Sequence, residues 1–155
     1  MPSPSELSIA RFIAAPPAAV WDAWSDPAKL AHWWIPAPIA CDVVKLDLRP
    51  GGGFETRMRE GDGDWQPHVE ACVLEAVPNK RLVWTTVLRD GWQPVEPWLA
   101  LTAILTFEAQ DGGTLYSSRV LHRSPEDSAK HEAMGFREGW GTVLGQLAAL
   151  LETPA

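Results

Sequence analysis

The segment from Pro125 to Glu152 constrains the fold more than any other part of the sequence. Ser124 is suited to cap the first turn of a helix, and Pro125 suits the first helical position. At 100° per residue, the large apolar side chains fall on one face, whereas His131 falls on the opposite, outer face. We therefore predict one long amphipathic helix, bent or closely packed at its glycines, whose inner face needs a large apolar partner. That inner face comprises Ala129, Ala133, Phe136, Trp140, Leu144, Leu147 and Leu151.

A run of strands in the middle of the chain supplies this partner. From Ile39 onward, apolar and polar residues alternate with a period of two, and glycine-rich turns at 50–53, 61–64 and 111–113 separate the alternating runs. An apolar run at 7–14 predicts a first strand, and two short helices precede the alternating region. The predicted class is α+β, with a curved seven-stranded antiparallel sheet around the long C-terminal helix and two short helices after the first strand.

Composition argues against several classes of function. The net charge of −7 disfavours a nucleic-acid binder, because binding phosphates needs a basic surface. No apolar run reaches the length of a membrane span and no signal-peptide pattern is present, so we expect a cytoplasmic protein without membrane insertion. Cys41 and Cys72 lie singly on predicted strands, and we expect free thiols. No metal-ligand spacing or nucleotide motif is present, so we predict neither a metal site nor a cofactor.

Polar residues on the predicted strands leave two interpretations open. His68 and Glu70 share a strand face, so on the concave side of the sheet they could form an acid–base pair. On the convex side they would be solvated, and this is the interpretation we favour. Arg57 and Arg119 could anchor a ligand carboxylate, although surface arginines paired with acids are the favoured interpretation. No nucleophile–base set is readable, so no catalytic residue is predicted.

Nine tryptophans are the unusual feature of the composition. Tryptophan fills large concave volumes and offers an N–H donor, so it occurs both in cores and in ligand pockets. Either these rings fill the interior, or they line a cavity between the sheet and the C-terminal helix. We predict a cavity lined by Trp33, Trp34, Phe54, Trp65, His68, Trp84, Trp98, Phe136 and Trp140.

Several short motifs resemble those of a known superfamily. Ala15-Pro16-Pro17, Asp26-Pro27 and Trp33-Trp34 resemble the N-terminal part of the helix-grip proteins of the SRPBCC superfamily, which includes START domains, birch-pollen allergens and polyketide cyclases. Further motifs are similar to the subgroup homologous to the activator of heat-shock protein 90 ATPase: Arg49-Pro50-Gly51-Gly52-Gly53-Phe54, Pro78-Asn79-Lys80-Arg81-Leu82, Met134-Gly135-Phe136 and Gly139-Trp140. The resemblance implies a single helix-grip domain over 6–152 with a hydrophobic cavity, after a tail at 1–5 that we expect to be mobile.

The expected function is binding or transport of a hydrophobic or aromatic small molecule in that cavity. A cyclase- or hydrolase-type enzyme using the same cavity is the second hypothesis, because one scaffold hosts many functions. The third hypothesis, implied by the resemblance, is a co-chaperone-like regulator whose partner is a heat-shock chaperone. It is disfavoured because the resemblance covers only the domain shared with the activators. The sequence indicates neither the ligand's identity nor an oligomeric state.

Overall fold

The frame of the molecule is a seven-stranded antiparallel sheet, seen in a computed structural model that describes residues 4–152. Its strands lie in the order β1-β9-β8-β5-β4-β3-β2, and β6 and β7 form a separate small ribbon. The predicted helix-grip α+β fold is confirmed. In chain order the elements are β1 (Glu6–Ile13), α1 (Pro17–Ser25), α2 (Pro27–Trp33), β2 (Ala40–Leu46), β3 (Gly53–Arg59), β4 (Gln66–Val77), β5 (Arg81–Thr85), β6 (Leu88–Arg89), β7 (Gln93–Pro94), β8 (Leu101–Gln110), β9 (Gly113–His122), α3 (Pro125–Ala133) and α4 (Phe136–Glu152).

Irregularities in the strand pairing bend the sheet. The register shifts at 43–45 in β2, at 56–57 in β3 and at 73–75 in β4. An extra residue on one strand bends that strand and increases its local twist. The curved sheet packs its inner face on the helices, and in β8 this buries every second residue: Leu101, Ala103, Leu105 and Phe107.

Helices α1 and α2 are joined rigidly. A carboxylate oxygen of Asp26 accepts the backbone N–H of Ala28 at 3.0 Å and caps α2. At the other end of α2, the indole Nε1–H of Trp33 donates to the carbonyl of Ala23 in α1 at 3.0 Å. These bonds fix the position of Trp34, which directly follows α2.

The C-terminal segment is two helices, so the prediction of one continuous helix is wrong. Ser124 does cap the start, accepting the N–H of Asp127 at 3.1 Å. The break falls at Gly135, whose φ of +98° lies in the left-handed region that ends a helix. The break changes the direction of the chain. The buried face of α3 therefore cannot be predicted by continuing the apolar periodicity of α4. Ala129 and Ala133 are exposed, and the residue predicted to lie outside, His131, is buried.

The remaining sequence-based expectations fall on the surface and the termini. Arg57 pairs with Asp42 at 2.6 Å and Arg119 pairs with Glu6 at 3.0 Å, both at the surface as favoured. Both cysteines are free thiols, as expected. Residues 1–3 of the predicted tail lie outside the described residues. Within 4–152, no helix is long and apolar enough to cross a membrane.

Candidate functional site

A cavity of about 320 Å³ lies between the first half of α4, the adjoining strands β4 and β5, and the segment that leads into β8. Tryptophan rings form much of its wall. The ring of Trp34 lies 6.2 Å from that of Trp84 in β5 and 6.1 Å from that of Trp140 in α4, measured between centroids. All three side chains line the cavity, so one aromatic surface joins the end of α2, the sheet and the C-terminal helix.

Six of the nine residues predicted to line a cavity lie on its wall: Trp34, His68, Trp84, Trp98, Phe136 and Trp140. Trp140 is half-buried, whereas Trp34, Trp84 and Phe136 are buried. Trp98 is 77% exposed and lies beneath the ammonium group of Lys130, which is 5.8 Å from the ring centroid. It therefore forms part of the open side of the cavity.

The other three predicted residues do not line this cavity. Trp33 and Phe54 are fully buried and pack against Trp34, with ring centroids 5.6 and 5.7 Å away. They support the wall from behind. Trp65 instead packs under two guanidinium groups, those of Arg57 at 4.9 Å and Arg59 at 4.5 Å.

A polar group of side chains forms the rim on the β4 side, where His68 and Glu70 line the cavity. Both side chains are exposed, as the favoured interpretation expected. The convex position is wrong for His68, whose ring centroid lies 6.1 Å from that of Trp34 on the cavity side. Strand pairing joins Thr56 to Val69 and then Arg57 to Pro67, so His68 is the extra residue of a bulge. A bulge re-aims a side chain, and this explains why His68 and Val69 both line the cavity although neighbours on a regular strand alternate.

The ring of His68 is held by one hydrogen bond, between its Nδ1 and the hydroxyl of Thr56 at 3.0 Å. The side chain is exposed to solvent, but the protein atoms around the ring displace part of its hydration. This desolvation lowers the pKa of His68 to about 4, because it disfavours the charged ring. Near neutral pH the imidazole is therefore uncharged.

Arg89 is a cavity residue that the sequence analysis did not find. Its guanidinium donates to the backbone carbonyls of Glu70 at 2.7 Å and Thr86 at 3.2 Å, and lies 3.6 Å from the Glu70 carboxylate. It comes from β6, a strand of only two residues. Only a strand pattern too short to recognise, at Leu88–Arg89, marks its position.

His131 is the second cavity residue that the sequence analysis placed wrongly. Its Nδ1 lies 2.8 Å from Nε2 of His122, and its ring packs edge-on against Phe136 with centroids 5.1 Å apart. Burial and the neighbouring His122 lower the pKa of His131 to about 4. The glycine at 135 was the available signal, since a glycine after a helical run commonly ends the helix.

Two donors at the wall have no hydrogen-bond partner among residues 4–152, namely Nε1 of Trp34 and Nε1 of Trp84. Both atoms are sealed from solvent and therefore from the cavity space, so they are unsatisfied donors inside the wall that a ligand does not reach. The same part of the chain holds no group of three or more His, Cys, Asp or Glu side chains placed to bind a metal ion. The cavity therefore offers flat apolar surface, two neutral imidazoles and, at its rim, the Glu70–Arg89 pair.

A second depression, of about 500 Å³, lies near the start of α1 and is more open to solvent. Lys80 and Glu108 are its charged members, and both are exposed. It combines neither an aromatic wall nor a buried polar group with its volume. The tryptophan-lined cavity is therefore the candidate site.

Comparisons with known proteins agree with this fold. The family described as Activator of Hsp90 ATPase homolog 1-like protein matches residues 14–152. Protein NE0264 from Nitrosomonas europaea is 36% identical with a TM-score of 0.90, and the match covers 98% of this chain and 97% of that one. Protein Ms6760 from Mycobacterium smegmatis is 26% identical with a TM-score of 0.81, over 97% and 93% of the two chains. A search of the curated proteins finds no match.

Proposed function

This chain belongs to the family of Activator of Hsp90 ATPase homolog 1-like proteins, and from that premise we propose that it binds or carries a hydrophobic or aromatic small molecule in the tryptophan-lined cavity. The observation that carries the proposal is open space of about 320 Å³ beside Trp34, Trp84 and Trp140. A core designed only for stability would close such space, because interiors pack to crystal-like density.

The size and the wall of the cavity define the ligand class. Ligand pockets span roughly 300 to 1,000 Å³, so this cavity suits a compound of about one or two rings. Flat indole faces favour planar apolar molecules over flexible polar ones. Burying about 200 Å² of apolar ligand surface stabilises the complex by about 5 kcal/mol. A gain of about 5 kcal/mol alone corresponds to a dissociation constant of about 0.2 mM, and ordering costs offset part of it, so we expect dissociation constants in about the millimolar range.

A blocking substitution tests the site. A Cβ added at Gly139, which lines the cavity, would meet no atom within 4 Å. Gly139→Leu should therefore fill the cavity and abolish binding. Gly145, further along α4, is equally free of contacts but does not line the cavity, so Gly145→Leu is the matched control and should bind like the wild type.

The readouts are quenching of tryptophan fluorescence and a rise in melting temperature, because a ligand that binds only the folded state stabilises it. A panel of one- and two-ring aromatic compounds would be screened beside flavonoids, fatty acids and phosphorylated aromatic compounds, with the phosphorylated compounds expected to bind most weakly. If no compound changes either signal, or if Gly139→Leu binds as well as Gly145→Leu, the proposal fails. The co-chaperone hypothesis would then be tested by pull-down with the heat-shock chaperone.

An enzyme in the same cavity has less support. The lining holds histidines but neither serine nor cysteine. Its threonine hydroxyl, on Thr86, donates to the backbone carbonyl of Leu99 at 2.7 Å, and Glu70 pairs with Arg89, so neither is paired with a histidine base. We expect no turnover of generic ester substrates above the uncatalysed rate. Turnover that disappears in a His68→Ala variant would favour the hydrolase hypothesis instead.

A further inference from the structure

A chain of hydrogen bonds leads from the backbone near the N-terminus to the cavity. The carbonyl of Ser5 lies 3.0 Å from Nδ1 of His122, at the end of β9. Nε2 of the same ring lies 2.8 Å from Nδ1 of His131 in α3. Both rings are 8% exposed, and His131 lines the cavity whereas His122 does not.

While His122 is uncharged, the first acceptor in this chain determines the position of every proton that follows. A carbonyl oxygen can only accept, so Nδ1 of His122 must carry the proton. In the neutral ring, Nε2 of His122 is then an acceptor, and Nδ1 of His131 must donate to it. Nε2 of His131 is left without a proton, as a lone-pair acceptor.

That last nitrogen is available to a ligand. Nε2 of His131 has no hydrogen-bond partner within 4–152 and is not among the nitrogen atoms sealed from solvent. The other cavity histidine differs. His68 bonds to the hydroxyl of Thr56, which can donate or accept, so its protonation pattern adapts to a ligand whereas that of His131 is fixed.

We propose that His131 is a specificity-determining acceptor in the cavity, that His122 is the positioning residue that keeps it so, and that the cavity therefore selects aromatic ligands bearing a hydroxyl or N–H donor. The ligand class rests on the proposed function; the role of His122 does not. A lowered pKa keeps His131 neutral near pH 7, so its lone pair is present there.

Nitrogen NMR of the imidazole rings tests the role of His122 without any ligand. The chemical shifts of the two ring nitrogens distinguish the protonated from the unprotonated atom. In the wild type at pH 7 we expect His131 to carry its proton on Nδ1, and in His122→Phe we expect a shift towards the Nε2-protonated form. His32 is exposed and outside the cavity, so His32→Phe is the control that should leave His131 unchanged. A wild-type His131 protonated on Nε2 would overturn the proposal even if His122→Phe did not fold.

Calorimetry with naphthol and methoxynaphthalene tests the ligand class, because a methyl group replaces the donor proton in the second compound. We expect naphthol to bind about three- to tenfold more tightly to the wild type, the usual effect of one hydrogen bond. The preference should fall to within about twofold in His131→Phe and in His122→Phe, and should persist in His32→Phe. Equal binding of both compounds to the wild type overturns the ligand class while the proposed function stands. Binding of neither compound overturns both, and the NMR result still decides the role of His122.

Discussion

Gly135 joins α3 to α4, and its replacement by alanine gives a sharp test of the broken C-terminal helix. Its φ of +98° is one that an alanine rarely adopts. An added Cβ would meet only Glu138, whose Oε2 is 3.6 Å away, an ordinary contact. The expected cost is therefore conformational rather than steric. A left-handed conformation costs an L-residue about 1–2 kcal/mol, so Gly135→Ala should lower the free energy of unfolding by that amount.

Gly145 provides the matched control with the opposite expected sign. It lies inside α4, and a Cβ there would meet no atom within 4 Å. Glycine inside a helix is about 0.8–1.0 kcal/mol less favourable than alanine. Gly145→Ala should therefore raise the free energy of unfolding by up to about 1 kcal/mol, and the two variants should differ by about 2–3 kcal/mol.

Urea unfolding followed by far-UV circular dichroism measures both variants. For a domain of this size, 1 kcal/mol corresponds to about 2–4 °C in melting temperature. Gly135→Ala should therefore melt about 2–8 °C below the wild type, and Gly145→Ala should melt slightly above it. If Gly135→Ala is as stable as Gly145→Ala, the segment is one continuous helix. The assignment of His131 to the cavity would then fail too.

Three further predictions concern named side chains. As the pH falls from about 6.5 to 4, His131 takes up a proton in the unfolded chain but not in the folded protein. The contribution of His131 to stability should therefore be fully present above this window and fall within it by at most about 3 kcal/mol. Urea unfolding measured across this pH range should show a shallower fall in His131→Phe. Tyr116→Phe removes the acceptor of the Trp24 indole N–H, 3.0 Å away, and leaving this donor unsatisfied should cost about 1–3 kcal/mol by urea unfolding. Arg57→Ala breaks an exposed ion pair with Asp42. It should change the free energy of unfolding by no more than about 1 kcal/mol, measured as a small shift in melting temperature.

Most of the sheet can be predicted from the sequence because one of its faces is buried. In β8 the alternation of buried and partly buried residues follows the period of the strand, and the glycine-containing turn at 111–113 marks where β8 ends and β9 begins. Short hairpin connections then favour antiparallel neighbours. The very short strands β6 and β7 carry no such pattern, so Arg89 could not be found in this way.

The broken helix shows where local sequence fails. Four glycines lie close together in the segment predicted as one helix, at 135, 139, 141 and 145. In sequence they look alike. Only Gly135 has a positive φ; the other three lie inside α4. The difference is that α3 packs near β1 and β9. Local helix propensity carries no information about such a tertiary contact. His131 was assigned to the outer face because the periodicity was counted through this break.

His68 illustrates a second limit, since a cavity reverses the rule by which strand faces are assigned. Alternation assigns polar side chains to solvent, but a binding cavity places selected polar groups on the inner side of the sheet. At His68 the strand also contains an extra residue opposite 56–57, so counting by two from Ala71 or Cys72 gives the wrong side. A bulge can be recognised only when the partner strand is known, because the extra residue is the one without a partner on that strand. The aromatic wall was accessible to sequence reasoning because it depends on residue type and the general fold, whereas the polar groups that would select a ligand depend on one bulge and one helix break.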